Sequence, residues 1–229
     1  MEPETGDKMY FDILDPKRLN ILKTICETDI AKDFYLAGGT ALSLQIKLRK
    51  SFDFDFFSEG HFNENVLYGS IKSLFPNKVE VITLNKGTCN LFVDGIQISF
   101  LEYPYSMINP LISGSEIKNL SLASTDDIAA MKMAAIGDRG AKKDFFDLYQ
   151  IFNYTEITSD KLIYSLQKKF GENFNFSYML MGLDYFEDAE NEILPELYVK
   201  FDWNKAKKFF VQKKKELTNL FYSEISKDF

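Results

Sequence analysis

Two aspartates separated by one aromatic residue, Asp53 and Asp55 in "SFDFDFF", follow an adjacent pair of glycines, Gly38 and Gly39 in "LAGGTAL". An extended segment over 52–57 turns Asp53 and Asp55 to one side and Phe52, Phe54 and Phe56 to the other, because strand side chains alternate. The phenylalanines supply the buried face, and the carboxylates stand ~6–7 Å apart on the opposite one, close enough to share a divalent cation. Mg²⁺, with Mn²⁺ as its substitute, suits this pair, since it takes one or two carboxylates and completes its shell with water and substrate phosphates. The glycines supply the complementary half. A strand, a tight Gly38-Gly39 turn and a helix N-terminus aim backbone N–H groups and the positive end of the helix dipole outward. Residues without a side chain let a phosphate approach that backbone, and the Thr40 hydroxyl either caps the helix or touches the phosphate. An isolated D-x-D is more often plain surface, and an isolated G-G more often a plain turn. Their order, strand–GG–helix–strand–DxD, is more specific and points to a nucleoside triphosphate bound with its metal.

A second constellation lies further along. Lys132 sits in the apolar run "IAAMKMAAI", and Arg139, seven residues on, falls about 20° away on the same helical face. Two cations on one face can stabilise the charge of a leaving pyrophosphate. Alternatively Lys132 pairs with a carboxylate or extends its ammonium to water. Asp144 and Asp147 lie three apart and face together on the next helix. Asp144 then orients Lys132 or Arg139, or activates an acceptor hydroxyl, while Asp147 has Lys143 within pairing distance.

The elements that must carry these residues are legible from periodicity and turn chemistry. Helices are expected over 19–30, 41–49 and 63–74, and strands over 34–37, 52–57, 78–84, 88–93 and 96–101, the last two joined by the hairpin signal Asp94-Gly95. From Ser124 the pattern is helical: a segment opened by Ser124 three residues before Asp127, a second helix after Gly140, then 160–170, 177–191 and 203–221. The fold class expected is α+β, a mixed sheet with helices over 1–118 followed by a helical domain over 119–229 that contributes Lys132, Arg139 and Asp144 to the site.

The bulk properties are those of ordinary globular composition rather than disorder. In 229 residues, 45% are hydrophobic and 15% aromatic, enough for a sizeable core. The net charge of −7 argues against broad, non-specific attraction to nucleic acid, although it leaves room for a local basic surface. Six acids between 184 and 196 precede seven lysines between 200 and 215, which reads as a solvated acidic face beside a solvated basic one. Cys26 and Cys89 form no metal-ligand spacing. The N-terminus lacks an apolar signal core and no run approaches a membrane span, so a cytoplasmic protein with no membrane partner is expected.

"GGTALSLQIKLRKSFDFDFF" resembles the signature of nucleotidyltransferases built on the DNA polymerase β catalytic core, and more narrowly the AbiEii/AbiGii-type toxins of toxin–antitoxin and abortive-infection systems. The family pattern GGT-A-L followed by R-x-S-x-D-x-D is matched by Gly38, Gly39, Thr40, Ala41, Leu42, Arg49, Ser51, Asp53 and Asp55. Asp127, Lys132, Arg139, Lys143, Asp144 and Asp147 match its later D-x-x-x-x-K, R and K-D-x-x-D, and "YFEDAE" with Pro195 looks like a further family feature. The resemblance implies a polymerase β-like nucleotidyltransferase core. It implies transfer of a nucleotide from an NTP with Mg²⁺, tRNA or other RNA as acceptor in some members, and a cognate antitoxin. By the same resemblance Gly38, Gly39, Thr40, Arg49, Ser51 and Arg139 bind the nucleotide, Asp53 and Asp55 hold the metal, and Lys132 and Asp144 join them in catalysis.

The pattern departs from that superfamily at one place. A third carboxylate is expected on a neighbouring strand, but 96–101 presents Gln97, Ser99 and Leu101 opposite its apolar face. That puts a two-metal mechanism in question and leaves Asp53, Asp55, Asp144 or Glu80 to activate the acceptor. A small-molecule nucleotidyltransferase and a catalytically silent nucleotide-binding module are the rival readings.

Overall fold

The computed structural model describes residues 9–114, 116–171 and 175–225. The chain divides into two compact units between Ser124 and Thr125. The first unit is built on a seven-stranded mixed sheet of order β3-β4-β5-β2-β1-β7-β6. Its strands are β1 (Tyr35–Ala37), β2 (Phe54–Ser58), β3 (Val79–Asn85), β4 (Thr88–Val93), β5 (Ile96–Glu102), β6 (Ile112–Ser113) and β7 (Ser121–Leu122). The expected boundary at 118/119 falls inside this unit, because β7 pairs in parallel with β1 through Leu36 and Leu122.

Local chemistry explains the helices of this unit. α1 (Pro16–Cys26) starts where the Asp15 carboxylate accepts from the Arg18 amide, with Pro at the first helical position. α3 (Glu64–Leu74) begins where Asn63 caps the Val66 amide. α2 (Gly38–Ile46) starts directly at the end of β1, three residues earlier than the sequence pattern places it, and stops at Lys47 in a left-handed conformation. The β4–β5 hairpin turns on Asp94 and Gly95, both with positive φ (52° and 78°), as the Asp-Gly signal predicts.

The core of the sheet is aromatic. Phe54, Phe56 and Phe100 are fully buried, and the Phe56 and Phe100 rings stack at 5.1 Å. Phe52 was expected on this buried face but is 44% exposed, since β2 begins only at Phe54. Its ring instead lies under the Arg18 guanidinium at 5.1 Å, and its carbonyl accepts from Arg18 Nε.

The second unit is helical: α4 (Thr125–Asp138), α5 (Lys142–Tyr154), α6 (Ser159–Phe170), α7 (Phe176–Gly182), α8 (Glu187–Glu190) and α9 (Trp203–Ile225). α4 packs against α5, α6 and α7, and α9 lies across α5 and α6. Where one helix was expected over 177–191 there are two short ones, broken after Gly182. A Cβ at Gly182 would stand 2.8 Å from the Gly137 Cα, so α7 and α4 meet at glycine on both sides.

Candidate active site

In the sheet unit Asp55 comes together with the glycines, while Asp53 is tied to Thr40 through its carbonyl. Asp55 of β2 pairs across the antiparallel ladder with Ala37, the last residue of β1. Its carboxylate therefore lies over the next residue, Gly38, where a Cβ would stand 2.8 Å from Asp55 Oδ2. Gly38 has φ +68°, a conformation that favours glycine for a second, independent reason. At Gly39 a Cβ would stand 2.1 Å from Arg49 Nη2. The glycines thus make room for a carboxylate and a guanidinium at the start of α2, in addition to any room they leave a ligand.

The remaining residues of this half hold the frame. Thr40 and Ser51 are buried, and their hydroxyls lie 2.8 Å apart. Thr40 Oγ1 also donates to the Asp53 carbonyl, so Ser51 supplies the proton between the two hydroxyls. Thr40 anchors the chain leading into Asp53, and no side chain caps α2 at Ala37. Arg49 is 4% exposed and donates to the Lys50 carbonyl at 3.0 Å. Asp53 stands just ahead of β2 and is exposed. Two carboxylates, one exposed and one half-buried beside a helix N-terminus, fit the sparse oxygen donor set that Mg²⁺ accepts from proteins.

The neighbouring strand is neutral along the same row. Ser99 of β5 faces Asp55, and Asn90 of β4 faces Ser99. Among the described residues no group of three or more His, Cys, Asp or Glu side chains is placed to hold a metal.

In the helical unit the second constellation is a buried ion-pair network. Lys132 Nζ lies 2.8 Å from Asp144 Oδ1 and 2.6 Å from Asp147 Oδ2. Arg139 closes on the same carboxylate, with Nε 2.8 Å from Asp144 Oδ2 and Nη2 3.0 Å from Oδ1. Lys132 makes the carboxylate pairing that was one of the alternatives open for it. Asp147 pairs with Lys132. Arg139 is the exposed cation of the set, its side chain 56% accessible. Burial alone would raise the Asp144 carboxyl, but the Lys132 charge and the Arg139 hydrogen bond outweigh it and hold the pKa down to about 2. Because the folded value lies below the ordinary one, the stabilisation is present above about pH 4 and fades as pH falls toward 2. The expected result is a ¹³C carboxyl resonance for Asp144 that shows no protonation down to pH 3. A midpoint near 4 would remove the network.

Sequence reasoning missed a second buried pair. Lys169 of α6 and Asp127 of α4 are each fully buried, with Nζ 2.9 Å from Oδ1. The available signal was a lysine three and seven residues beyond Leu166 and Leu162, on the apolar face of α6. The acids of 184–196 are exposed, in keeping with a solvated acidic face, and some of them pair with the lysines that follow. Lys207 lies 3.0 Å from Glu190 and Lys214 2.7 Å from Asp184, and Trp203 Nε1 donates to Glu190. Within "YFEDAE", Phe186 joins a ring cluster with Phe145 and Trp203 at 5.4 and 5.7 Å.

Comparison with known proteins places the chain in a family. The chain is 36% identical over 208 residues to an uncharacterized protein of Aquifex aeolicus, covering 89% of this chain and 97% of that one. Its fold is similar to that of MenT4, a nucleotidyltransferase toxin from Mycobacterium tuberculosis H37Rv, with a TM-score of 0.56 at 14% identity over 86% of this chain and 80% of that one. The family model described as nucleotidyl transferase AbiEii toxin, type IV TA system, matches residues 96–219, from β5 through most of α9. The α+β fold is that of a nucleotidyltransferase, and the chain belongs to the AbiEii nucleotidyltransferase toxin family.

Proposed function

We propose that this nucleotidyltransferase uses Mg²⁺ to move a nucleoside monophosphate from an NTP to a hydroxyl of an RNA acceptor, tRNA in the first instance, inside the cytoplasm and under control of a cognate antitoxin. The observation that carries the reading is the Asp55 carboxylate lying over Gly38 at the N-terminus of α2, with the Arg49 guanidinium against Gly39. A helix N-terminus beside a cation attracts phosphate, whereas a carboxylate in the same place repels it. Both would be tolerated together if Asp53 and Asp55 held a divalent cation, whose charge would offset the repulsion. That cation, when bound, polarises the phosphoryl oxygens.

The chain's own groups do the rest. The α2 N-terminus and Arg49 orient the triphosphate, and Thr40 and Ser51 keep Asp53 in place. The acceptor oxygen attacks the α-phosphorus, the bond to the bridging oxygen breaks, and pyrophosphate leaves. The hydroxyl proton passes to Asp53 or Asp55 and from there to water. In the helical unit we assign phosphate charge to Arg139, whose side chain is partly exposed, and assign Asp144 with Lys132 to holding it.

The test is incubation of the full chain with Mg²⁺, each α-labelled NTP in turn and total bacterial RNA, beside Asp53→Ala. Label in RNA that requires Asp53 is the expected result. Label on the protein or on low-mass compounds would overturn the RNA acceptor, and no label with any NTP would overturn the reading.

A further inference from the structure

Resting on that reading, we propose that the Asp53–Asp55 site binds one divalent cation, and that the neutral row Ser99–Asn90 stands where a second cation would need a carboxylate. A two-metal site clamps the attacking and leaving oxygens with ions ≈ 3.5–4 Å apart. On the adjacent strand β5, the position that faces Asp55 is the nearest from which an acid could serve a second ion. That position is Ser99, directly opposite Asp55, and it is buried. The next position in the row, Asn90, is an amide whose Oδ1 is shielded and has no hydrogen-bond partner among the described residues. An uncharged acceptor does little to offset a second divalent charge.

Among the described residues, the acids nearest in the sheet and those of the buried pairs are engaged or distant. Glu80 pairs opposite Phe92 on β3, three strands from β2 and so ~14 Å away. Glu102 faces Ser58, three residues along from Asp55 and so ~10 Å away, and lies 2.7 Å from His61 Nδ1. Asp94 is shared by Lys17 and Lys78 at 3.4 and 3.3 Å. Asp15 accepts from the Arg18 amide and pairs with its guanidinium. In the helical unit, Asp127, Asp144 and Asp147 are each held by a buried lysine. A carboxylate already saturated by ammonium and guanidinium groups has little left to give a metal.

The experiment counts Mn²⁺ bound to the full chain with each of the four non-hydrolysable α,β-methylene NTP analogues, and records its EPR spectrum. One Mn²⁺ per chain with an uncoupled six-line spectrum, lost in Asp53→Ala, is expected. Two Mn²⁺ with spin coupling would overturn the proposal and leave the transferase reading intact. No protein-bound Mn²⁺ with any analogue would overturn both, so the two failures are distinguishable. Ser99→Asp, verified as folded by circular dichroism, is expected to take up a second, coupled Mn²⁺. A folded Ser99→Asp that still binds one would overturn the assignment of Ser99 as the deciding position.

Discussion

Asp53→Ala is expected to lower nucleotide transfer by on the order of 10³-fold, since metal charge stabilisation is worth several kcal/mol and each tenfold is about 1.4 kcal/mol. The same variant is expected to keep its melting temperature within about 2 °C of the wild type. The two halves of this prediction come from one geometry. Asp53 is exposed ahead of β2, and the bond that anchors it is made by its carbonyl to Thr40 Oγ1, which alanine retains. Asp55→Ala offers the contrast. It removes a half-buried carboxylate packed over Gly38, so activity and stability fall together. Initial rates of label transfer beside thermal melts separate the two variants. An Asp53→Ala protein with wild-type rates would remove the metal assignment outright.

The largest stability effect is expected at a residue outside the assigned site. Lys169→Met leaves the Asp127 carboxylate buried without the ammonium 2.9 Å away, and loss of one partner of a buried pair costs about 3–5 kcal/mol. For a chain of this size that lowers the melting temperature by roughly 10 °C. Adding Asp127→Leu removes the stranded charge and is expected to recover at least half of the loss. A double variant as unstable as the single one would show that the penalty is lost packing of the lysine stem rather than an unpaired charge. Urea denaturation of the two variants beside the wild type makes the measurement.

The two buried pairs serve different ends. Asp127–Lys169 joins α4 to α6 deep in the helical unit, with no accessible cation. The Asp144 network joins α4 to α5 and ends in Arg139, half of whose side chain reaches solvent. A carboxylate that holds a lysine on one side and orients an exposed arginine on the other is built for positioning, which is why Asp144 is assigned to holding Arg139 rather than to accepting the acceptor's proton. Its depressed pKa points the same way, since a base with pKa about 2 has little affinity for a proton near neutral pH.

Much of this molecule follows from local rules that need no tertiary structure. The Asp-Gly hairpin, the Asn63 cap, the strands at 88–93 and 96–102 and the heptad spacing of Lys132 and Arg139 depend on neighbours within a turn or two of chain. The absence of an acid between 96 and 101 is likewise plain in the letters. Only the tertiary structure decided who meets whom. Whether Phe52 is buried depends on where β2 starts, which the ladder with β1 and β5 sets. That Gly38 admits Asp55 and Gly39 admits Arg49 depends on the turn at Lys47 bringing the chain back. That Lys132 takes two aspartates, and that Lys169 finds Asp127 across 42 residues, depends on helix packing. Buried charges are costly alone and stable in pairs, so each required a partner. Periodicity locates the charge on a face, and packing chooses the partner.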